Sequence, residues 1–478
     1  MNEGELKIGQ MPAENLTPNH VLHSILNPAS SILKPPSFIL NPQSSILYPR
    51  SSILWLSLVI LITLLPIGCR DNGSRSRQLT MAVNSGVEGD ALKQAARDYE
   101  ARSGVHINIA EFPYDNLFEK ELVDLTAGSG AYDLIMLDDP WFPRFAVQNV
   151  LTDLAPFYQK RGEAGPDSDF VSSSLALCKH PYETGNLFAL PYVGNSQLFF
   201  YRKDLFEKHN LKPPASWDDV MTAAKTIDER ERTGSPDGSR VYGYVMRAAR
   251  GNSAVADFMP IFWGFGAEMF DSNGRPTVNS QEGIDALKFM IELGKYAPPG
   301  YPSFNATEVS AHLLQGTAAM SINWPAWISA FNDPEKTKVL GKMNFGSMPA
   351  GKKEGRAEIG NWLIAIPKGA QNGDAAFEFL LWATTAEQMK KSAQSGNPPT
   401  RRSVFNDPEL LAKFPAYPAQ LRSLENSKPR PRTPMWNEIE NVFGIFLSRA
   451  NSGELPADEA MNQANAEITK IVERNKRE

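Results

Sequence analysis

Cysteine is nearly absent from this chain of 478 residues, which holds only Cys69 and Cys178. So small a number excludes a disulfide-knit scaffold and leaves each thiol to be explained singly, Cys178 as an inert thiol. Histidine is scarce as well: of six, His106, His180, His209 and His312 fall in the main body, too dispersed to suggest a local metal motif. No nucleophile elbow and no phosphate-cradling glycine loop is present. Asp271-Ser272-Asn273-Gly274 departs from a calcium loop, because its glycine comes too early and no closing glutamate follows at the right place. Positive charge is not in excess either. The formal net charge is -6 and the lysines and arginines are scattered, so no basic stripe is available to displace counterions from nucleic acid. No metal, cofactor or nucleic-acid partner is expected.

The front of the chain is present in unusual form. Ile-Leu recurs at Ile25, Ile32, Ile39, Ile46 and Ile53, with Pro28, Pro35, Pro42 and Pro49 in step. A seven-residue period suggests a coiled coil, but a proline in every repeat costs about 3 kcal/mol in a helix. Residues 1–50 are therefore read as a duplicated low-complexity extension, expected to be disordered. Residues 51–69 follow Arg50 with an almost wholly apolar run from Ile53 to Ile67, short for a membrane span of about 20 residues, and close on Gly68-Cys69. That order is the layout of a secretory signal, and Ile67-Gly68-Cys69 resembles the end of a lipobox with Cys69 as the lipidated residue. The alternative is a segment that stays uncleaved as an anchor. Either reading places the body outside the inner membrane, beyond a flexible polar tether at 70–78.

From Leu79 onward strands and helices alternate, which predicts an α/β protein with parallel sheets covered by helices. Leu79 to Val83 reads as a strand that ends at Asn84-Ser85, Gly104 and Gly128 stop two helices, and Leu134 to Leu137 reads as a strand buried on both faces that ends at Asp138. In open α/β sheets the ligand crevice lies just outside the carboxyl ends of the strands, which favours Asn84 and Asp138 as site residues. The run from Gly185 to Leu205 is an apolar strand to Pro191, a polar loop at Gly194-Asn195-Ser196, and a second apolar strand at Leu198 to Tyr201. This describes a chain passing from one core to another and presenting side chains as it goes.

The order of landmarks resembles that of the extracellular solute-binding proteins of family 1, the sugar-binding subunits of ABC importers. The matching residues are Ala131-Tyr132-Asp133-Leu134-Ile135, Ala189-Leu190-Pro191-Tyr192, Phe200 to Phe206, Pro213 to Trp217, Gln315 to Met320, Trp362 to Pro367, Pro398 to Arg401 and Lys428-Pro429-Arg430-Pro431. The resemblance implies a two-lobed type II periplasmic-binding fold, with interrupted lobes joined by hinge crossovers near Pro191 to Asn195, near Trp324 and around residue 385. Lobe 1 would comprise 79–191 and 326–384, and lobe 2 would comprise 192–325 and 385–478. It further implies a monomer that captures a mono- or oligosaccharide in the interlobe cleft and delivers it to the membrane permease, tethered to the membrane by its lipid.

A sugar presents hydroxyls and flat apolar ring faces, so its site needs carboxylates, amides and aromatic surfaces. The resemblance assigns ligand contact to Glu88, Asp138, Asn195, Trp324, Trp362 and Arg401. Asp139, Gln197 and Asn361 join these as neighbours, with Asn84, Trp141, Trp263 and Trp327 as further candidates. Asn195 stands where several members carry an acid. Two alternatives keep the fold: a carbohydrate-active enzyme, and the ligand-binding subunit of a sensor. Against the first, the adjacent Asp138 and Asp139 cannot flank a glycosidic bond from opposite sides.

Overall fold

The computed structural model describes residues 78–232 and 238–476. The extension, the signal segment, Cys69 and most of the tether lie outside the described residues. Among the described residues no helix is long and apolar enough to cross a membrane.

The first lobe begins with β1 (Gln78–Asn84), α1 (Val87–Ser103), β2 (His106–Phe112), α2 (Tyr114–Ala127), β3 (Leu134–Asp138) and α3 (Phe142–Val147). Gly104 and Gly128 close α1 and α2 in the left-handed region, at φ 70° and 60°, where a side chain would be strained. β1 pairs in parallel with β2 and β3. β3 is buried at every position, as its unbroken apolar run requires.

The chain then runs through β4 (Ala189–Val193) and passes into the second lobe with β5 (Leu198–Arg202). That lobe contains α4 (Asn252–Gly264), β6 (Met320–Asn323) and β7 (Met343–Gly346), with β5 central and antiparallel to both other strands. β8 (Trp362–Ala365) returns to the first sheet, whose order is β2-β1-β3-β8-β4. Because β8 enters from the crossing side, it runs antiparallel to β3 and β4, opposite in sense to the βα units. The first sheet is therefore mixed and the second antiparallel, where alternation of elements alone predicted parallel sheets.

The lobe boundaries also fall later than the sequence suggested. Ile328, Phe331, Val339 and Met343 pack with Leu198 and Phe200, so residues 326–357 stay in the second lobe. Trp324 marks a turn at the end of β6 into a single 3-10 turn, Pro325–Trp327, and not a crossing. Beyond residue 385, Met389, Phe405, Leu410, Tyr417 and Leu424 still belong to the first core. The final crossing follows α5 (Tyr417–Asn426) and leads to α6 (Trp436–Asn451) and α7 (Ala457–Asn475), whose Trp436, Phe443, Ile468 and Val472 complete the second core.

Three crossing segments thus lie side by side near residues 194–197, 357–361 and 427–431. Hydrogen bonds join them to one another: Gly360 N donates to Asn195 O at 2.9 Å, Gln197 N to Glu358 O at 3.1 Å, and Lys428 N to Ala357 O at 2.8 Å. Gly194 N donates to Pro398 O at 2.8 Å, and a Cβ on residue 194 would stand 2.0 Å from Pro399 O. Gly194→Ala must therefore push backbone apart at the first crossing. We expect it to lower the unfolding free energy by about 1–3 kcal/mol in urea titrations; an unchanged midpoint would mean that the crossing is looser than its contacts imply.

Candidate functional site

Strand direction decides what meets at the lobe junction. β1 and β3 deliver their carboxyl ends there, β4 arrives antiparallel to β8, and β8 begins there, with Trp362 opposite Asp138 on one side and Val193 on the other. β6 ends on the same level, so Trp324 faces the junction from the second lobe. A Cβ on Gly360 would stand 2.7 Å from Cη2 of Trp324, so the bare glycine is what lets the indole lie against the crossing.

The resulting cleft encloses about 920 Å³, toward the upper end of the usual range for small-molecule sites. Its first-lobe wall is aromatic. Tyr114 packs on Trp141 and Trp362 with ring centroids 4.8 and 5.9 Å apart, Trp141 meets Trp362 edge-on at 5.8 Å, and Phe118 joins Trp141 at 5.2 Å. From the second lobe Trp324 carries Arg247 over its ring at 5.6 Å, and Arg247 is fixed by Asp257 through Nε at 2.6 Å. The polar floor is partly unsatisfied. Asn195 Nδ2 donates to Glu88 Oε1 at 3.3 Å, while the side-chain oxygens of Asn84 and Asn195, both buried, accept from nothing in the protein. Burial holds the Glu88 carboxyl above its usual range. Such acceptors suit ligand hydroxyls, which donate.

Beneath the floor lies a buried charge cluster. Arg430, 2% exposed, places Nη2 3.1 Å from Asp139 and 3.5 Å from Asp138, Nε 3.6 Å from Glu358, and Nη1 3.5 Å from Glu440 of α6. Arg432 adds a 3.0 Å contact to Asp139. Asp138 also accepts from Tyr114 Oη at 2.8 Å, which links the cluster to the aromatic wall.

Of the residues expected at the site, Asn84, Glu88, Asp138, Trp141, Asn195, Trp324 and Trp362 come together around the cleft. The others are placed elsewhere. Asp139 is fully buried on Arg430 and Arg432. Gln197 spans the crossings, donating to Ala256 O at 2.8 Å and accepting from Glu358 N at 3.3 Å. Asn361 is fully buried and does not line the cleft. Arg401 is locked in the first lobe by Asp167 at 2.7 Å, by Thr384 O at 2.6 Å and by the face of Phe170. Trp263 is core under Lys428, and Trp327 packs into the second lobe. Tyr114, Phe118, Arg247, Arg250, Arg430 and Glu440 were missed. Tyr114 and Phe118 carry the one local signal, an aromatic pair at i and i+4 that shares a helix face.

A second hollow of about 780 Å³ adjoins the cleft, sharing Arg144 and Glu438. None of its lining side chains is a buried polar group without a partner, so the chemistry concentrates in the cleft.

The family model described as bacterial extracellular solute-binding protein matches residues 84–390. The chain is 26% identical over 389 residues to a probable amino-acid ABC transporter periplasmic-binding protein of Sinorhizobium fredii, covering 80% of this chain and 84% of that one. It is 26% identical over 379 residues to an arabinooligosaccharide-binding protein of Bacillus subtilis, covering 75% and 82%. Among solved structures, an ABC transporter solute-binding protein from Agrobacterium radiobacter K84 in complex with ribitol matches with a TM-score of 0.76 at 25% identity, over 82% of this chain and 98% of that one. A maltose-bound protein of T. maritima matches with a TM-score of 0.73 at 26% identity, over 82% and 99%.

The charge cluster generates a pH dependence. Burial pushes the Glu358 carboxyl up to about 8 and that of Asp139 up to about 7, with Arg430 opposing the rise in both. A carboxyl raised in the folded state takes up a proton on folding, so its contribution is complete below the ordinary value of 4.5 and is lost as the pH rises through about 8. The unfolding free energy is expected to fall between about pH 5 and pH 8, Glu358 supplying up to about 1.4 kcal/mol per pH unit. Glu358→Gln, which resembles the protonated acid, should flatten that fall in urea titrations at stepped pH. A slope identical to the parent's would exclude Glu358 as its source.

Proposed function

This chain belongs to the bacterial extracellular solute-binding protein family, and from that premise we propose that it captures a polyol, sugar or oligosaccharide in the cleft between its lobes. It is the substrate-binding subunit of an ABC importer and works on the extracytoplasmic side. The observation that carries the carbohydrate reading is an aromatic lining drawn from both lobes, Trp362 and Trp141 from one and half-buried Trp324 from the other, over buried amide oxygens that lack donors. Aromatic faces suit the apolar faces of a sugar and the amides suit its hydroxyls. A ligand that touches both walls favours the closed arrangement by its differential contacts, which gives the permease a liganded state to recognise.

The proposed action is capture and release without turnover. Asp138 already accepts from Tyr114 Oη at 2.8 Å and from Asp139 N at 3.0 Å, with Arg430 alongside, so it is built as a fixed acceptor and not as a proton donor. We further propose that Cys69, outside the described residues, carries a lipid that holds the protein at the membrane surface.

Calorimetry on a panel of polyols, sugars, oligosaccharides and amino acids tests the reading. A carbohydrate ligand near micromolar affinity, about -8 kcal/mol, is expected. Trp324→Ala, at a half-buried position, should weaken it by about 1 kcal/mol or more. Heat from amino acids alone, with silence to every carbohydrate, would overturn the carbohydrate reading. For the anchor, radioactive fatty acid should label the parent protein and not Cys69→Ser; label retained by the variant would refute lipidation at Cys69.

A further inference from the structure

The cleft presents two guanidiniums that the protein itself leaves unoccupied. Arg144 stands half-buried on α3 of the first lobe, and Arg250 stands exposed two residues before α4 of the second, both lining the cleft. Among the described residues neither guanidinium forms a hydrogen bond or ion pair. The other two arginines of the lining are spoken for, Arg247 by Asp257 and Arg430 by its four carboxylates.

The acids of the cleft do not answer these two charges. Asp138 is held by Tyr114 and Arg430, Glu440 by Arg430 and Asn252, Glu438 by Arg474, and Glu88 accepts from Asn195. Glu119, exposed on α2, makes no ion pair with either arginine.

Beside Arg250 the start of α4 strengthens the same preference. Gly251, Asn252 and Ser253 line the cleft, no side chain caps the helix, and its first turn contains no acid. The free backbone N–H groups of a helix start favour negative charge. Asn195, 3% exposed with its side-chain oxygen unpartnered, faces the same cavity; that acceptor calls for a donating hydroxyl, so the ligand it marks carries its negative group on a hydroxylated body.

Building on the carbohydrate reading, we propose that the cargo bears an anionic group, a uronate carboxylate or a phosphate ester, gripped by Arg144 from one lobe and Arg250 from the other. Planar guanidiniums match both groups through paired N–H donors. An anion held from both sides adds contacts that only the closed arrangement makes, so the charge selects the cargo and favours closure together.

Calorimetry on the purified full-length protein tests this with matched pairs: an oligogalacturonide against the galacto-oligosaccharide of equal length and linkage, and glucose 1-phosphate against glucose. The anionic member of one pair should bind about tenfold or more tighter than its neutral counterpart, with the preference shrinking at high salt. The pair that shows the preference identifies the anion as carboxylate or phosphate. In Arg144→Gln and in Arg250→Gln, both checked for an unaltered unfolding midpoint, the ratio of anionic to neutral affinity should fall toward one. Neutral ligands binding as well as anionic ones, or a ratio untouched in both variants, would overturn the anionic cargo and leave the carbohydrate reading standing. Silence to both members of both pairs, and to the wider carbohydrate panel, would remove the two together.

Discussion

A guanidinium buried among four carboxylates fastens the crossing segments to both lobes. Arg430 reaches Asp138 and Asp139 at the end of β3, Glu358 on the second crossing and Glu440 on α6. With Arg432, two positive groups face four acids, all largely buried. Two such charges cannot neutralise four, and an unpaired buried carboxylate is costly. The imbalance is relieved where contact is poorest. Both oxygens of Glu358 lack a hydrogen-bond donor and its nearest charge is 3.6 Å away, and it is there that burial raises the carboxyl to about 8. A protonated Glu358 would leave Arg430 to the better-placed acids of the two lobes.

From that cluster the cleft inherits its geometry. Asp138 is both a partner of Arg430 and the acceptor of Tyr114, and Tyr114 packs against Trp141 and Trp362. The aromatic wall is therefore oriented by the same carboxylate that anchors the crossing. The backbone agrees with the side chains, because β8 starts at the junction with Trp362 in register with Asp138. A strand entering from the opposite end would have sent Trp362 to the far edge of the sheet. The antiparallel sense of β8, which the alternation of strands and helices conceals, is what assembles the wall.

Local features of this fold were legible in the sequence and relations between distant segments were not. The apolar run at Leu134 to Leu137 marks a buried strand, and Gly104 and Gly128 mark helix ends, because each depends on a few neighbouring residues. The first passage between cores was readable at Gly194 to Ser196 for the same reason. The later crossings were misplaced, since Trp324-Pro325 breaks a strand whether the chain turns within a lobe or leaves it, and only the pairing of β7 with β5 decides between the two. Of the candidate site residues, those at strand ends, including Asn84, Asp138 and Trp362, line the cleft. Arg430 was visible only as part of a Pro-Arg-Pro landmark, because its role depends on acids 72, 290 and 10 residues or so away in sequence being brought around it, a fact of tertiary structure. Arg401 misled in the opposite direction: its partners Asp167 and Asp169 lie far back in the chain and bury it within one lobe.

The crossings are bonded to one another even where Glu358 and Asn361 stay unpaired, and that firmness contrasts with the open acceptors of the cleft. Gln197, Ser196 and Ser423 knit the crossings together through short bonds, Gln197 to Ala256 O at 2.8 Å and Ser196 to Ser423 at 2.8 Å. Those bonds join one crossing to the next or to the elements beside them, so a change of angle between the lobes need not break them. The acceptors of Asn84 and Asn195, by contrast, sit in the cleft with nothing to accept from. A ligand hydroxyl bound there would supply the missing donors. On the proposed reading, a ligand touching both walls would favour the closed arrangement by its differential contacts.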